Sequence, residues 1–293
     1  MPRSSRTSQP PADRWVDADG RPIDEEDRGL VYDLGTLVSR RRTLGLVGAL
    51  GATALVAACS GTSDTSSSSG TASSKGTGSS SSGSGDLTEV PDETGGPYPG
   101  DGSNGVDVLD DSGIVRKDIR SGFGSSTATA AGVPLTVRLT VRDAATGNAR
   151  KGAAVYAWHC DRDGGYSLYS SGLEDVNYLR GVQSAGADGT VEFTTVFPGA
   201  YSGRWPHIHF EVYESVDGAT SKGPIVKTSQ IALPKETCEA VYATGGYEQS
   251  VTNLAQTSLS SDNVFGDDGG IHQIASMSGS VEKGYTASLT IGV

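Results

Sequence analysis

Between residues 60 and 86 nearly every position is serine, glycine or threonine. Such a stretch cannot bury enough apolar surface to offset the entropy of ordering its backbone. The chain is therefore divided there, and whatever folds must lie to one side. By the scaling of ~5–6 Å × √n the stretch is expected to be a flexible tether with a reach of about 30 Å.

Upstream, residues 43–58 form an apolar run of 16, short of the roughly 20 residues that a membrane span needs. Ser39-Arg40-Arg41-Arg42 precedes it. A basic region, a short apolar core and small residues at its end read as a secretory signal. The Ser-Arg-Arg-Arg-Thr-Leu stretch resembles a twin-arginine export signal, without the aromatic residue preferred after the arginines. Val56-Ala57-Ala58-Cys59 resembles a bacterial lipobox, which implies cleavage before Cys59 and lipidation of its sulfur. These features predict an exported protein, on the outer face of the cell membrane through a lipid anchor at Cys59, or extracellular. Residues 1–38 are charged, lack apolar periodicity and read as an extended n-region of the signal, or in part as residues ahead of the true start. The expected organisation is an export signal over 1–58, a lipidated cysteine and tether over 59–113, and a folded domain over 114–293. Residues 87–113, acidic and rich in Gly and Pro, are assigned to the tether as irregular chain.

The first 59 residues hold eight basic and eight acidic side chains, so the net charge of −12 rests entirely on the remainder. An acidic mature chain lacks the basic footprint of a nucleic-acid-binding protein. With 41 glycines and only 35% apolar residues, the composition suits a loop-rich β domain rather than a helical bundle.

Beyond residue 114 the pattern changes. Leu135–Val141 alternates apolar and polar residues, the period of a half-buried strand. Further strands are expected at Ala153–Trp158, Gly189–Val196, His207–Tyr213, Ile225–Ile231 and Tyr285–Ile291, with Gly, Pro and Asp clusters between them. Short strands so punctuated predict an all-β fold, a β-sandwich core with long loops. One or two short helices are expected, one of them near Lys235–Ala243, where Pro234 precedes a helix-compatible stretch.

Within this domain, Pro198-Gly-Ala-Tyr201-Ser-Gly-Arg204-Trp-Pro-His207-Ile-His209 carries the most chemistry. On a strand, side chains two apart share a face, so His207 and His209 project together as half of a metal site. Spacing alone leaves open that both merely face solvent. The other two histidines, His159 and His272, have no such partner and are read as structural or surface residues. Tyr201 stands in a glycine-bounded turn six residues before His207. A phenol with a pKa near 10 needs a strongly Lewis-acidic ion to give up its proton, which favours iron(III) over zinc or magnesium.

These residues resemble the intradiol ring-cleavage dioxygenases, which include catechol 1,2- and protocatechuate 3,4-dioxygenases, and most of all their secreted actinobacterial members. The resemblance runs from Arg116-Lys-Asp-Ile-Arg120 to Val293. It covers Gly132-Val-Pro-Leu135, Val155-Tyr-Ala-Trp-His-Cys-Asp-Arg-Asp-Gly-Gly-Tyr166, Tyr178-Leu-Arg-Gly181, Phe197-Pro-Gly-Ala-Tyr201, Arg204-x-x-His207-x-His209 and Thr228-Ser-Gln230. It implies one Fe(3+) per chain, with Tyr166 and His207 equatorial and Tyr201 and His209 axial. The implied substrates are a catechol and O2, and the implied product is a muconate-type diacid cleaved between the two hydroxylated carbons. Arg204 would stabilise carbanionic character on the ring. Gln230 would hydrogen-bond beside the open coordination position, and Tyr201 would take a substrate proton when displaced. Trp205 either lines the pocket or packs. Many intracellular members have a longer loop between the second tyrosine and the histidines, so the short one here implies an open site. A helical dimerisation segment of the intracellular enzymes is replaced by the tether, which implies a monomer. Two other readings compete: a non-catalytic surface binding module on the same sandwich, and a hydrolase using His207 and His209 with metal-bound water.

Cys160 and Cys238 remain as an even pair once Cys59 is lipidated. Outside the cytosol, where disulfides persist, they are expected to bridge.

Overall fold

A computed structural model describes residues 87–293. The export signal, Cys59 and the tether over 60–86 lie outside the described residues. Among the described residues no helix is long and apolar enough to cross a membrane.

Eight strands form two four-stranded sheets: β1 (Pro134–Arg142), β2 (Ala154–Trp158), β3 (Arg180–Ser184), β4 (Thr190–Val196), β5 (His207–Tyr213), β6 (Ile225–Ala232), β7 (Ser276–Ser280) and β8 (Gly284–Gly292). The first sheet runs β4-β1-β8-β7 and the second β3-β2-β5-β6. All pairings are antiparallel except β1 with β8. Three short helices follow β5 and β6: α1 (Val216–Thr220), α2 (Lys235–Tyr242) and α3 (Glu248–Leu254). The chain is an all-β sandwich.

Alternation sets the core. Leu135, Val137, Leu139 and Val141 of β1 meet Val155 and Ala157 of β2 and Ile208, Phe210 and Val212 of β5 in one apolar cluster. Full burial of such side chains contributes about 1.5–3 kcal/mol each. The second sheet is covered on its other face as well. Ala154, Tyr156 and Trp158 of β2, Val182 of β3 and Tyr213 of β5 join Val108, Leu109, Ile114 and Tyr166 in a second cluster. Every residue of β5 is consequently buried. His207, His209, Glu211 and Tyr213 alternate with its core residues and lie beneath the covering layer.

Part of that cover corrects the expected boundary at 113. Residues 87–113 have little regular structure, yet they pack onto the domain rather than continuing the tether. Val90, Val108 and Leu109 are buried. The Val90 amide bonds the Gly292 carbonyl at 3.0 Å and the Glu93 amide bonds the Thr228 carbonyl at 2.8 Å. Acidic Gly/Pro-rich composition forbids a strand here but does not forbid docking against a sheet.

The expected bridge between Cys160 and Cys238 is also corrected: both are buried thiols with no disulfide. Cys160 packs in the outer cluster and donates to the Gly199 carbonyl at 3.5 Å, whereas Cys238 packs in the inter-sheet core and donates to Leu233 at 3.8 Å. Cysteine parity carried no information about this separation.

Candidate metal centre

Three chain segments converge above β5. His207 and His209 come from the strand itself, with Nε2 atoms 3.0 Å apart. Tyr201 comes from the loop before β5 and brings its phenol oxygen to 3.2 Å from His207 Nε2. Tyr166, on the loop between β2 and β3, brings its own oxygen to 3.5 Å from the same nitrogen. Three possible donor atoms thus lie within 3.5 Å of His207 Nε2. Ligands about 2.1 Å from one ion stand roughly 3–4 Å apart, and these three distances are compatible with that.

The loops are pinned by neighbouring elements. Helices α2 and α3 hold the loop before β5: the Tyr242 hydroxyl donates to Pro198 O, Tyr247 to Phe197 O, Asn253 to Ala200 O, and the Ala200 amide donates to Ser250. A side chain at Gly199 would strike the Arg162 carbonyl at 2.5 Å, so glycine lets the two tyrosine loops press together. The Asp161 carboxylate accepts from the Asp163 and Gly165 amides and from the Tyr178 hydroxyl, shaping the turn that leads to Tyr166.

The imidazoles are held by different surroundings. His207 Nδ1 lies 2.5 Å from the Trp205 carbonyl. A carbonyl only accepts, so Nδ1 carries the proton and Nε2 presents its lone pair. His209 stacks on Trp158 with ring centroids 4.9 Å apart, and its Nδ1 is buried without a hydrogen-bond partner. Burial, and then the charge of Arg204, hold His207 neutral by lowering its pKa well below the usual value; burial, and then His207, do the same for His209. Burial and the neighbouring Tyr201 push the Tyr166 phenol well above its usual value. Only a strongly charged cation among these atoms would turn that phenol into a phenolate. Two nitrogen lone pairs and two phenols facing one point fit such an ion. Among the described residues no group of three or more His, Cys, Asp and Glu gathers to hold a metal, so imidazole with phenol is the donor set on offer.

The remaining residues expected at the site lie beside it. Gln230 pairs across the β5–β6 ladder with His209, which sets both side chains on one face. Its amide nitrogen donates to Thr94 O at 2.9 Å and its oxygen accepts from Arg204 Nη2 at 2.7 Å. Arg204 Nη1 reaches within 3.5 Å of His207 Nε2. Burial would lower the Arg204 pKa, but Tyr201 and Asp262 outweigh it and the group is held charged. Trp205 packs, its indole N–H donating to Leu233 O at 2.9 Å. His159 is buried between Thr195 and the Cys160 carbonyl, and the structure leaves His272 apart from the cluster.

Sequence reasoning missed three contributors. Asp262 is buried against Arg204, with Oδ2 3.0 Å from its Nε. Arg180 spans the outer cluster, donating to Tyr98 O and Pro99 O in the cover and to Ser167 beside Tyr166. The cover itself closes over His209, with Gly96 so near that a Cβ would lie 3.2 Å from the ring. Asp262 and the cover have no local signal. Arg180 had one, the Tyr-Leu-Arg-Gly run, which entered only as part of the resemblance, with no role for the arginine.

No protein-family description matches the sequence, and no curated protein matches it. Solved structures do. An intradiol ring-cleavage dioxygenase from Tetranychus urticae is 25% identical over 70% of this chain and 94% of its own, with a TM-score of 0.55. A second dioxygenase is 24% identical with the same coverage and a TM-score of 0.56. The dioxygenase domain of a dioxygenase–carbohydrate-binding fusion from Streptomyces sp. SirexAA-E is 22% identical over 70% of this chain and 98% of its own, with a TM-score of 0.44. The four-donor centre thus sits in a sandwich whose fold is that of the intradiol ring-cleavage dioxygenases.

Proposed function

We propose that the protein is a non-haem iron(III) dioxygenase that opens catechol-type rings between their two hydroxylated carbons, inserting both atoms of O2. The observation that carries this reading is the convergence of the Tyr166 and Tyr201 phenols with the His207 and His209 Nε2 atoms, all within 3.5 Å of His207 Nε2. One Fe(3+) per chain would be held by these four groups. When bound, the ion would supply the Lewis acidity that grips both catechol oxygens and draws electron density from the ring.

The chain's own residues divide the remaining work. Tyr166 and the two histidines are buried, whereas Tyr201 is partly exposed beside the exposed residues Ser202 and Gly203. Tyr201 is therefore the ligand able to swing outward and accept a catechol proton at its phenol oxygen. Arg204 Nη1 directs positive charge at the donor cluster from 3.5 Å, suited to stabilising carbanionic character on the substrate ring. Gln230 joins Arg204 to the covering segment and fixes both. The covering residues 94–98 and Trp158 exclude water from the His209 side.

The same reading includes export, a lipid anchor at Cys59 and a monomeric domain on its tether. Iron addition to purified protein tests the centre. Tyrosinate-to-iron(III) charge transfer would colour it red-brown, and catechol would then drive O2 uptake with the rise of muconate absorbance. An iron-loaded protein without a visible band, or one with the band but no O2 uptake across a panel of catechols, would defeat the proposal.

A further inference from the structure

Asp262 is buried, its carboxylate fully enclosed, directly after a short 3-10 turn over Leu259–Ser261. It comes 58 residues after Arg204. Its Oδ2 accepts from Arg204 Nε at 3.0 Å and from the Trp205 amide at 2.6 Å. Its Oδ1 accepts from the Val264 and Phe265 amides at 2.8 and 3.1 Å and stands 3.5 Å from Arg204 Nη2. These backbone bonds fix the carboxylate before it meets the arginine. Gln230 Oε1 takes Arg204 Nη2 from the other side at 2.7 Å. A guanidinium is planar, so anchoring Nε and Nη2 determines where Nη1 points. Here it points at His207 Nε2.

We infer that Asp262 is a positioning residue for the proposed reaction: with Gln230 it locks the Arg204 guanidinium in the one orientation that presents Nη1 to the donor cluster, and it balances that buried charge. This rests on the dioxygenase reading for its chemistry but not for its geometry. A preorganised charge loses effect when its supporting partners are loosened. An arginine without this partner would also be a buried cation lacking its counter-charge.

The test is a double-mutant cycle with Asp262→Asn, Arg204→Met and the double variant, read three ways. In turnover, Asp262→Asn should lower kcat by about 10- to 100-fold while KM changes by less than about threefold, a loss of the size expected when a partner that orients a site residue is removed. Asp262→Asn in the Arg204→Met background should lower kcat no further. In the visible spectrum of the iron protein, the two single substitutions should shift the band in the same direction and non-additively. In thermal unfolding of the metal-free protein, the double variant should lose less than the sum of the singles. Folded Asp262→Asn protein with wild-type kcat and an unshifted band, or multiplicative losses in the double variant, would overturn the inference. Should Asp262→Asn not accumulate as folded protein, Asp262→Glu keeps the charge on a longer arm and should show the same band shift with a smaller loss of kcat; wild-type values for both would again overturn it. A wild-type protein that binds iron but turns over no catechol would sink the functional reading alone, leaving the band and the unfolding cycle to judge Asp262.

Discussion

Replacing Arg180 by methionine tests whether the covering segment is held by one side chain. Arg180 is buried, and its five hydrogen-bond acceptors are neutral oxygens: Ser167 Oγ and O, Pro99 O, Tyr98 O and the Tyr156 hydroxyl, at 2.8–3.1 Å. Methionine preserves much of the volume and removes every donor. Pro99 O keeps the Tyr156 hydroxyl, 2.7 Å away, whereas Tyr98 O and Ser167 O lose the guanidinium. The buried Ser167 carbonyl left without the guanidinium costs about 1–3 kcal/mol, and the part-buried Tyr98 carbonyl loses a hydrogen bond to a charged group worth about 1.5–3 kcal/mol, while removing a desolvated charge returns part of that. The net expectation is a loss of about 3 kcal/mol, or roughly 6–12 °C in Tm for a domain of this size. Thermal unfolding measures the total. Hydrogen exchange localises it, because the Gly100 amide bonds the Tyr169 hydroxyl and the Val108 amide bonds the Gly100 carbonyl within the cover. Both should exchange faster, while amides in the β1–β4 ladder keep their protection. A variant within about 1 kcal/mol of the parent, with Gly100 and Val108 still protected, would refute the idea that Arg180 clamps the cover.

Tyr166→Phe removes one of the two phenols and should weaken and shift the visible band, leaving the part owed to Tyr201, with O2 uptake falling by at least about 100-fold, followed by absorbance and an oxygen electrode. Gly96→Ala places a Cβ 3.2 Å from His209 Cε1 at a position with φ of +71°. It should cost about 1 kcal/mol for the backbone and weaken iron retention against a chelator. Glu93 has its carboxyl pushed up to about 7, first by burial and then by the charge of Asp267. The folded state therefore holds this proton more tightly than the unfolded state does. Its contribution is most favourable below the ordinary carboxyl range and is lost as pH rises towards 7. Glu93→Gln should flatten the fall in Tm over that interval, and an unchanged slope would contradict it.

The strands with apolar alternation were legible because each buries one face in the inter-sheet core, and His207–Tyr213 is a strand with the bounds expected. Arg180–Ser184 was not legible: a five-residue strand with Gly181 and Gln183 lacks periodicity and exists through its pairing with β2. Ser276–Ser280 is nearly all serine and glycine, an edge strand held by β8. His207 and His209 could be picked out because two imidazoles share one face of a strand, Tyr201 because it stands in a glycine-bounded turn just before them, and Tyr166 through the family resemblance. Asp262 could not, since nothing in Ser260-Ser-Asp-Asn points to an arginine 58 positions earlier. The misreading of residues 87–113 has the same origin. Composition reports whether a segment can fold alone, and this one borrows its order from a sheet encoded later.

That borrowing has a consequence for the order of assembly. The cover over His209 stands upstream of every strand it touches, and its first buried anchor, Val90, bonds Gly292 on β8. On a growing chain the cover emerges first, and its outermost anchor has nothing to bind until the last strand is made. Each half of the centre is thus a non-local contact, slow to close. The histidine strand can be finished while the cover above it is still solvated, and that interval would give the proposed ion a route to side chains that are buried once folding is complete.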